Sequence, residues 1–472
     1  MTSKFLTLGN ELNRSFKERE DEIAGSLLAM ISGEHVLFIG PPGTAKSMLA
    51  REMCKCIEGG NFFYYLLTRF TTPDEIFGPL SLSSLQADIF SRKVDGYLPT
   101  ANVSFLDEIF KANSSILNSL LTILNERKYH NGSEILDVPL FSVFGASNEL
   151  PEENESLEAL YDRFLFRYYV GYVQDETNFV ELIMGHAEDF SPSVRLTIDE
   201  ITDLQRGAVN VSIDDDVLES VVALRREFRS NGVTVSDRRW KKMLWVLRVA
   251  SCSLGRKSVD KTMLPLLQHM LWNRPEERTT IRKNLQAMVI SGGINIEREQ
   301  KDIKDLRASA VMVKDFILPK EVICTSCQVP FVSWKRLQEH AMDHSDHMYR
   351  FPDGDELYQV WRYKVHSRLL PNLVEVFGKM GHPVRLTMSE GDRELYLGDI
   401  GDFEDELGVL SADLEEERAA LLRSLDSNHW LTPGDREGIL AQYDVKMATM
   451  SEMRRSLQET RTIALSEDVV EP

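Results

Sequence analysis

Short, continuous apolar runs divide the N-terminal part of this chain, and each is followed by a helical pattern or a longer insertion. The runs lie near residues 35–40, 62–67, 103–107, 140–146 and 164–170. Continuous apolar runs are typical of strands buried on both faces, and strands that alternate with helices form a parallel sheet. The pattern therefore predicts an α/β fold over residues 1–190.

The pattern becomes helical over residues 191–275, which predicts a second, smaller domain. Asp214, Asp215 and Asp216 precede an apolar helical repeat there. We interpret them as acids that charge the start of a helix, in preference to a metal cluster. A polar helix over residues 276–318 is expected to lead away from this domain.

Two apolar stripes at helical spacing predict two long helices within residues 402–472, followed by a short tail. The stripes consist of Leu407, Leu410, Leu414, Leu421 and Leu425, and of Leu440, Tyr443, Met447, Met450 and Leu457. Thr432 and Pro433 supply a cap and a first-turn proline for the second helix. We expect these helices and the one over 276–318 to form an antiparallel stalk. Residues 349–401, with an alternating stretch at Leu395-Tyr396-Leu397, predict a small α+β module.

A glycine- and proline-rich loop joins the first apolar run to a helical pattern that begins at Met48. It reads Gly40-Pro41-Pro42-Gly43-Thr44-Ala45-Lys46-Ser47. Such a loop presents backbone N–H groups to phosphate at a helix N-terminus. Lys46 would reach the β- and γ-phosphates and Ser47 would bind Mg²⁺. Ala45 occupies the position where this motif usually has glycine.

Polar residues also end two later strands. The third run ends in Asp107-Glu108, and Asn148 follows the fourth. Asp107 suits the metal's coordination shell, and Glu108 suits activation of the attacking water. Asn148 would orient that water, because ligands of open α/β sheets bind at the carboxyl ends of the strands. ATP hydrolysis with Mg²⁺ is the predicted chemistry.

These motifs resemble the MoxR branch of the AAA+ ATPases, and within it the RavA group. The resemblance extends over about residues 15–275. Besides the phosphate loop, it is carried by the phrases at 67–75, 77–80, 96–99, 105–109, 124–127, 146–151, 156–163 and 235–242.

The resemblance implies roles that spacing alone does not give. Arg163 would reach into the site of a neighbouring subunit and stabilise transition-state charge, with Arg167 as the less favoured alternative. Arg238 would contact the nucleotide of its own subunit from the helical lid over 191–275. Asn131-Gly132 would form the turn of a β-hairpin, and residues 77–99 an insertion that faces a pore.

The resemblance further implies a hexameric ring whose ATP cycle remodels or activates a protein partner. A von Willebrand factor A (vWA) domain protein is the leading partner in this family. A second, unidentified protein target would dock on the C-terminal module.

Composition limits the alternatives. The 472 residues carry a formal net charge of −20, which opposes nonspecific binding to nucleic acid. Apolar runs are shorter than the ~18 residues of a membrane span, and the N-terminus lacks the pattern of a signal peptide. We therefore expect a cytoplasmic protein.

A second motif has the spacing of a tetrahedral zinc site. Cys324 and Cys327 are separated by two residues, and twelve residues separate Cys327 from His340. His344, one helical turn on, is the expected fourth ligand, with His347 as its substitute. Residues 319–348 thus resemble a C2H2 zinc finger with a structural Zn²⁺. Phe331 and Leu337 would form its small core.

C2H2 fingers often bind DNA, and Ser333, Arg336 and Glu339 would face the bases. Only a few basic residues surround the motif, so we favour protein docking or a structural role. The other cysteines, Cys54, Cys56 and Cys252, are interpreted as packed or free thiols.

Two alternatives remain for the whole protein. One is a nucleic-acid-directed motor that uses the finger to find DNA. The other is a nucleotide-gated scaffold with slow turnover, which the unusual Ala45 keeps open.

Overall fold

The structure, a computed structural model, describes residues 2–86, 88–151, 155–184, 190–230, 235–290, 300–306, 315–344, 347–350, 357–358, 385–387 and 390–465. The chain divides into two compact units. The first comprises Met1–Ser291 and Ala420–Gln442, and the second Gly292–Ala419 and Tyr443–Pro472.

Five parallel strands form the sheet of the first unit, and each coincides with one predicted apolar run. They are β1 (Val36–Ile39), β2 (Phe62–Leu66), β3 (Val103–Asp107), β6 (Ser142–Ser147) and β7 (Phe166–Tyr169), in the order β2-β3-β6-β1-β7. Every residue of β1 and β6 is buried, as expected for strands covered on both faces. The predicted parallel α/β sheet is confirmed.

Helices and short 3₁₀ turns connect these strands and form the lid. Those of the first unit are α1 (Thr2–Ser15), α2 (Glu20–Ser32), α3 (Lys46–Lys55), α4 (Pro73–Phe77), α5 (Leu82–Leu85), α6 (Ser114–Glu126), α7 (Glu155–Tyr161), α8 (Glu176–Met184), α9 (Ile198–Ala208), α10 (Asp215–Ser230), α11 (Asp237–Ser253), α12 (Gln268–Leu271) and α13 (Arg278–Val289). One continuous hydrophobic core extends from α1 to α13. The acids Asp215 and Asp216 occupy the first turn of α10, as predicted.

The predicted hairpin is present as β4 (Lys128–Asn131) and β5 (Glu134–Asp137), which pair antiparallel. Gly132 in its turn has φ +67, and a Cβ there would lie 1.8 Å from the carbonyl oxygen of Phe90. Only glycine fits so close to the backbone of the insertion over residues 77–99. Asn131 also donates to the Arg92 carbonyl and accepts from the Arg92 N–H.

The helix predicted over 276–318 is different in the structure. After a 3₁₀ turn at Pro275–Glu277, α13 ends at Val289. Its residues Ile281, Leu285 and Val289 are buried in the core of the first unit, so it is part of the lid and not of a stalk. Residues 300–306 are helical again, and a strand already begins at Asp315.

The two long C-terminal helices are α15 (Glu390–Ser427) and α16 (Pro433–Leu465). Within the second unit they run antiparallel. Tyr443 donates to the Leu414 carbonyl at 2.5 Å, and Arg461 pairs with Glu404 at 2.9 Å. The predicted stripe residues Leu407, Leu414, Leu425, Tyr443, Met450 and Leu457 are buried. The predicted tail lies outside the described residues.

The segment that joins these helices belongs to the first unit. Trp430 packs on Phe5 and donates to the Ser253 hydroxyl at 2.8 Å. Asp435 accepts from Gln268 and Arg282, both at 2.8 Å. The interhelical corner is therefore bound to the lid and α1 by buried contacts.

A small antiparallel sheet is the other part of the second unit. Its strands are β10 (Asp315–Cys324), β11 (Pro330–Ser333), β12 (Tyr349–Arg350), β13 (Leu357–Tyr358) and β14 (Arg385–Thr387), and α14 (Trp334–Asp343) follows β11. An α+β module was predicted over 349–401. Of its residues up to 389, those other than 349–350, 357–358 and 385–387 lie outside the described residues. Leu395-Tyr396-Leu397, predicted to be extended, are helical in α15.

The strands β8 (Ser212–Ile213) and β9 (Ser258–Val259) pair within the lid. In the described part of the chain, no helix has the length and apolar content to cross a membrane.

Candidate nucleotide site and Cys-His group

The phosphate loop leaves the sheet between β1 and α3. Gly40 donates to the Ser147 carbonyl of β6 at 3.1 Å. A Cβ at Gly40 would lie 2.2 Å from the Val170 carbonyl oxygen, so this position requires glycine. Ala45 immediately precedes α3 and adopts the left-handed conformation, with φ +65. The usual glycine of the motif adopts that conformation without strain, whereas alanine incurs a steric cost of ~1–2 kcal/mol.

Lys46 is the first residue of α3 and is buried. Its ammonium donates to the carbonyls of Gly40 and Pro41, both at 2.8 Å. Burial lowers the pKa of Lys46, and the negative charges of Asp107 and Glu108 oppose that shift. The lysine is therefore held inside the loop on the side of the two acids. Ser47 is half-buried and Met48 is exposed.

The two acids lie at the end of β3. Burial raises the pKa of Asp107, although its carboxylate accepts the Glu108 N–H at 3.0 Å. Glu108 has φ 52, a conformation that is uncommon for residues other than glycine and concentrates at functional sites. This backbone turn directs Glu108 away from the direction of the strand.

Asn148 lies beyond β6, beside the acids. Its amide donates to Glu108 Oε1 at 2.7 Å, and Lys111 pairs with Glu108 Oε2 at 3.2 Å. Both oxygens of Glu108 are thus held by neighbours. Asn148 and Glu108 lie close together because β6 lies between β3 and β1 and pairs with both strands. The structure brings Lys46, Asp107, Glu108 and Asn148 together as the sequence predicted.

The predicted trans arginine and lid arginine flank one carboxylate. Asp162 accepts a charge-assisted hydrogen bond from Arg238 Nη2 and a hydroxyl hydrogen bond from Ser236 at 3.3 Å. Arg238 is exposed and also donates to Asn125 at 3.4 Å. Adjacent Arg163 is half-buried; burial and the positive charge of Arg238 lower its pKa, while Asp162 raises it. Sequence reasoning missed Asp162, whose position next to Arg163 was the available signal.

Arg167 has a different environment. It is 1% exposed; its guanidinium donates to the Trp272 carbonyl at 2.7 Å, to Asn273 Oδ1 at 2.9 Å and to the Tyr161 carbonyl at 3.1 Å. It also stacks over the Tyr161 ring at 3.7 Å. These contacts bind β7 to the lid and leave Arg167 with a structural role.

A buried polar network that the sequence did not predict joins the start of β1 to the lid. Lys242 of α11 pairs with Glu34 at 2.6 Å. Burial raises the pKa of Glu34, and Lys242 opposes the shift. Next to it, His35 Nδ1 accepts the Val143 N–H at 3.0 Å, and Arg127 donates to the Gly33 carbonyl at 2.5 Å. Charged residues beside an apolar run gave no signal of burial.

The second unit contains the four residues that we name the Cys-His group: Cys324, Cys327, His340 and His347. One potential ligand atom of each lies within 4.8 Å of all the others. In the structure the group contains His347, the expected substitute, and not His344, the expected fourth ligand. Helix α14 ends at Asp343, and His344 has φ −132 and ψ 69. The His344 ring still lies 4.7 Å from the His340 ring, but His344 is not among the four residues whose ligand atoms converge.

The remaining predictions for this region have clear outcomes. Phe331 and Leu337 are buried, as expected for the small core. Arg336 and Glu339 are exposed and Ser333 caps α14, accepting the Arg336 N–H at 3.3 Å.

Cys54 and Cys56 are buried in the first unit and Cys252 is half-buried. Burial raises the pKa of Cys54 to about 11 and that of Cys56 to about 12, which makes them unreactive.

Comparison with known proteins agrees with this geometry. A family model described as the MoxR domain in the MoxR-vWA-beta-propeller ternary systems matches residues 4–206. A model of an AAA lid domain matches residues 216–285. The two matches together cover more than half of the 472 residues.

Individual relatives extend this result. An uncharacterized protein of Methanocaldococcus jannaschii is 41% identical over 353 residues, 72% of this chain and 90% of that protein. The chaperone MoxR1 of Mycobacterium tuberculosis is 30% identical over 171 residues, 35% of this chain and 44% of MoxR1. A crystal structure of a candidate ATPase from Cytophaga hutchinsonii shares the fold, with a TM-score of 0.50 and 17% identity, over 62% of this chain and 96% of that one. The chain belongs to the MoxR family of AAA+ ATPases.

Proposed function

We propose that this protein hydrolyses ATP with Mg²⁺ and uses the energy to remodel or activate a protein partner. The observation that carries the proposal is the hydrogen bond of 2.7 Å from Asn148 to Glu108, next to the buried Lys46 and the half-buried Asp107. A water-activating carboxylate and an amide that can orient water are adjacent there, at the edge of a phosphate loop. That arrangement has the parts that phosphoryl transfer to water requires.

Each residue then has a definite role. The amides of residues 40–47 and Lys46 hold the phosphates, and Ser47 and Asp107 hold the Mg²⁺ that ATP brings. Glu108 accepts the proton of the attacking water, and Asn148 aligns that water. For this step Glu108 has to exchange the hydrogen bond that it accepts from Asn148, or its ion pair with Lys111, for a hydrogen bond from water. Arg238 contacts the nucleotide of its own subunit.

Arg163 would complete the site of a neighbouring copy, which makes the active form a ring, and we propose a hexamer. Two observations support this role. The buried contacts of Arg167 exclude it from reaching another subunit, whereas Arg163 is only half-buried and would have to release the Ala159 carbonyl, to which its Nη1 donates at 2.5 Å. Arg238, which would contact the nucleotide of its own subunit, donates to Asp162. Asp162 directly precedes Arg163, which would act in the site of the neighbouring subunit. An arginine supplied in trans is worth ~10³–10⁵ in rate.

The proposed partner is a vWA domain protein. The matched family model describes MoxR domains in ternary systems with vWA and beta-propeller proteins. Two long helices, α15 and α16, follow the small antiparallel sheet of the second unit, and we propose that this sheet is the docking site for a further protein target. The net charge of −20 disfavours a nucleic-acid target. A soluble, cytoplasmic location fits this assignment.

The test is steady-state ATP hydrolysis by the Glu108→Gln variant of the full chain. The amide keeps the size of the side chain and its hydrogen bond to Asn148 but cannot accept the proton. We expect turnover to fall by at least ~10²-fold while nucleotide affinity is retained. Glu58→Gln, at an exposed glutamate of the same unit, is the matched control. Turnover of Glu108→Gln close to that of the control would contradict the proposal.

A further inference from the structure

The Cys-His group of the second unit takes no part in the proposed ATP chemistry. We propose that it binds one zinc ion through Cys324, Cys327, His340 and His347, and that His344 is not a ligand. The ligand atoms converge from three places: the turn after β10, helix α14 and the segment before β12. This proposal stands independently of whether the first unit hydrolyses ATP.

Distances between the side chains match a zinc tetrahedron. Nδ1 of His347 lies 3.5 Å from Cys324 Sγ and 3.4 Å from Cys327 Sγ. Zn–S bonds of about 2.3 Å and Zn–N bonds of about 2.05 Å at the tetrahedral angle separate sulfur and nitrogen by about 3.5 Å. Nδ1 of His347 thus already lies at the tetrahedral distance from both sulfur atoms, and the potential ligand atoms of all four residues lie within 4.8 Å of one another.

The turn that carries the cysteines has the features of a metal-binding loop. The Cys327 N–H donates to Cys324 Sγ at 3.4 Å, which fixes the position of this sulfur within the turn. The Gln328 N–H donates to the Cys324 carbonyl at 2.8 Å, and Gln328 has φ 58. This backbone geometry directs both sulfur atoms to the same side of the hairpin.

The chemistry of the donors selects the metal and its role. Two thiolates with two imidazoles in a tetrahedron favour Zn²⁺ over Mg²⁺ or Ca²⁺, which prefer oxygen. Four protein ligands leave no open position for substrate, which is the property of a structural site. Cys324 is fully buried while Cys327 is exposed, so the ion would lie at the surface with one face covered by protein.

The substitution of His347 for His344 follows from the end of α14. His344 leaves the helical conformation, and its ring stacks on His347 at 4.6 Å with an interplanar angle of 4°. The same ring lies 4.7 Å from the His340 ring, so His344 contacts both proposed histidine ligands. Two residues after His347, Tyr349 pairs with Cys324 in the register of β10 and β12. Through His347 the ion would hold the chain returning from α14 against the hairpin.

Metal binding would also supply folding energy to this small sheet. Its described core is limited to a few buried side chains, among them Val322, Phe331 and Leu337. A unit of this size gains little from apolar burial, and a structural zinc ion compensates. The zinc ion would thus be a requirement for the folded form of the strands around it.

Cobalt substitution in the full chain tests the ligand set. The metal content of purified protein is measured first, and we expect one zinc ion per chain. The zinc is then replaced by Co²⁺, whose visible spectrum reports tetrahedral geometry and thiolate ligands. His347→Phe should abolish the tetrahedral spectrum, whereas His344→Phe, which keeps a stacked ring but no nitrogen ligand, should retain it.

If His347→Phe fails to fold, a variant that supplies a different metal ligand at position 347 tests the same assignment. His347→Cys should retain Co²⁺ and raise the thiolate charge-transfer absorption by about one half, because three thiolates replace two. His344→Cys should leave that absorption unchanged. Absence of metal from the wild-type chain even after added Zn²⁺ would overturn the proposal. Loss of the spectrum in His344→Phe, or added absorption in His344→Cys, would overturn the assignment of His347.

Discussion

The nucleotide site and the Cys-His group are both built from four side chains, but different forces position them. In the first, Lys46, Asp107, Glu108 and Asn148 follow strands whose residues are almost wholly buried. In the second, two cysteines on a hairpin turn meet two histidines across a core of a few side chains. A packed sheet fixes the positions of the first set, whereas we propose that a bound ion holds the second.

The difference has a physical lesson for sites of each kind. Parallel strands in one sheet end at the same edge, so residues at strand ends meet wherever the sheet forms. A metal group that closes a small fold has no such frame, and each ligand depends on where a local element ends. The four predictions below test this contrast.

The largest effect is expected at Arg163. Arg163→Ala should lower turnover by ~10³-fold or more, because a neighbouring site loses its transition-state charge, while the unfolding free energy changes little. Steady-state kinetics and urea unfolding measure the two quantities. Arg167→Ala, four residues away, is the comparison, and it should destabilise the fold by ~3–5 kcal/mol through loss of a buried hydrogen-bonded charge. Equal effects of both variants on stability and turnover would contradict the assignment.

Metal removal should separate the two regions. A strong chelator of Zn²⁺, applied without ATP, should increase proteolytic cleavage within residues 315–350 by at least ~10²-fold, since metal binding is folding energy for such sites. Nucleotide affinity of the first unit should stay unchanged once Mg²⁺ is restored. Mass spectrometry of the fragments gives the cleavage sites. Cleavage at the same rate with and without chelator would show that apolar packing suffices in both regions.

A buried acid provides a test of packing in the first unit. Burial raises the pKa of Glu22 from its ordinary value of 4.5 to about 7. The folded state therefore binds this proton more tightly than the unfolded state. The resulting stability is fully present below about pH 4.5 and is lost as pH rises through 7, a contribution of about 3 kcal/mol.

Glu22→Gln should remove this loss of stability at high pH, because glutamine does not ionise. The unfolding free energy of the variant should exceed that of the wild type by up to about 3 kcal/mol at pH 8 and by much less at pH 5. Glu20→Gln, at an exposed position of the same helix, is the control for changed net charge. Parallel pH profiles for the wild type and Glu22→Gln would show that water reaches Glu22.

The smallest effect is expected in the phosphate loop. Ala45→Gly should stabilise the protein by about 1 kcal/mol, because glycine adopts φ +65 without the steric cost that alanine incurs. Ala50→Gly, inside α3, should instead destabilise it by about 1 kcal/mol. Unfolding free energies of the two variants give opposite signs if the loop is strained. Destabilisation by both would mean that Ala45 is held by packing.

These contrasts also explain how far the sequence could predict the molecule. Apolar runs predicted all five strands of the parallel sheet. The polar residues that follow these strands lie close together in the structure. The sequence did not predict that α13 packs in the lid. Its surface is largely polar, and nothing in the pattern indicated that Ile281 and Leu285 are buried. Position alone favoured Arg163 over Arg167, and only the contacts of Arg167 gave the reason.

The Cys-His group shows the limit most directly. The spacing between His340 and His344 suits one helical turn, and it would have held if α14 had continued. The helix ends at Asp343, and His347, seven residues after His340, lies in the group with the two cysteines. Likewise, the alternation at Leu395-Tyr396-Leu397 suggested a strand, but these residues are helical, with Tyr396 buried and Leu395 exposed.

The central claim is that ATP is cleaved at a site to which a neighbouring copy contributes Arg163. Mixing full-length Lys46→Ala chains with Arg163→Ala chains tests it most directly, because each variant alone lacks one part of every site. In mixed rings some sites combine an intact phosphate loop with an intact Arg163, so we predict ATP turnover well above that of either variant alone. Turnover of the mixture equal to the average of the two separate variants would contradict the account.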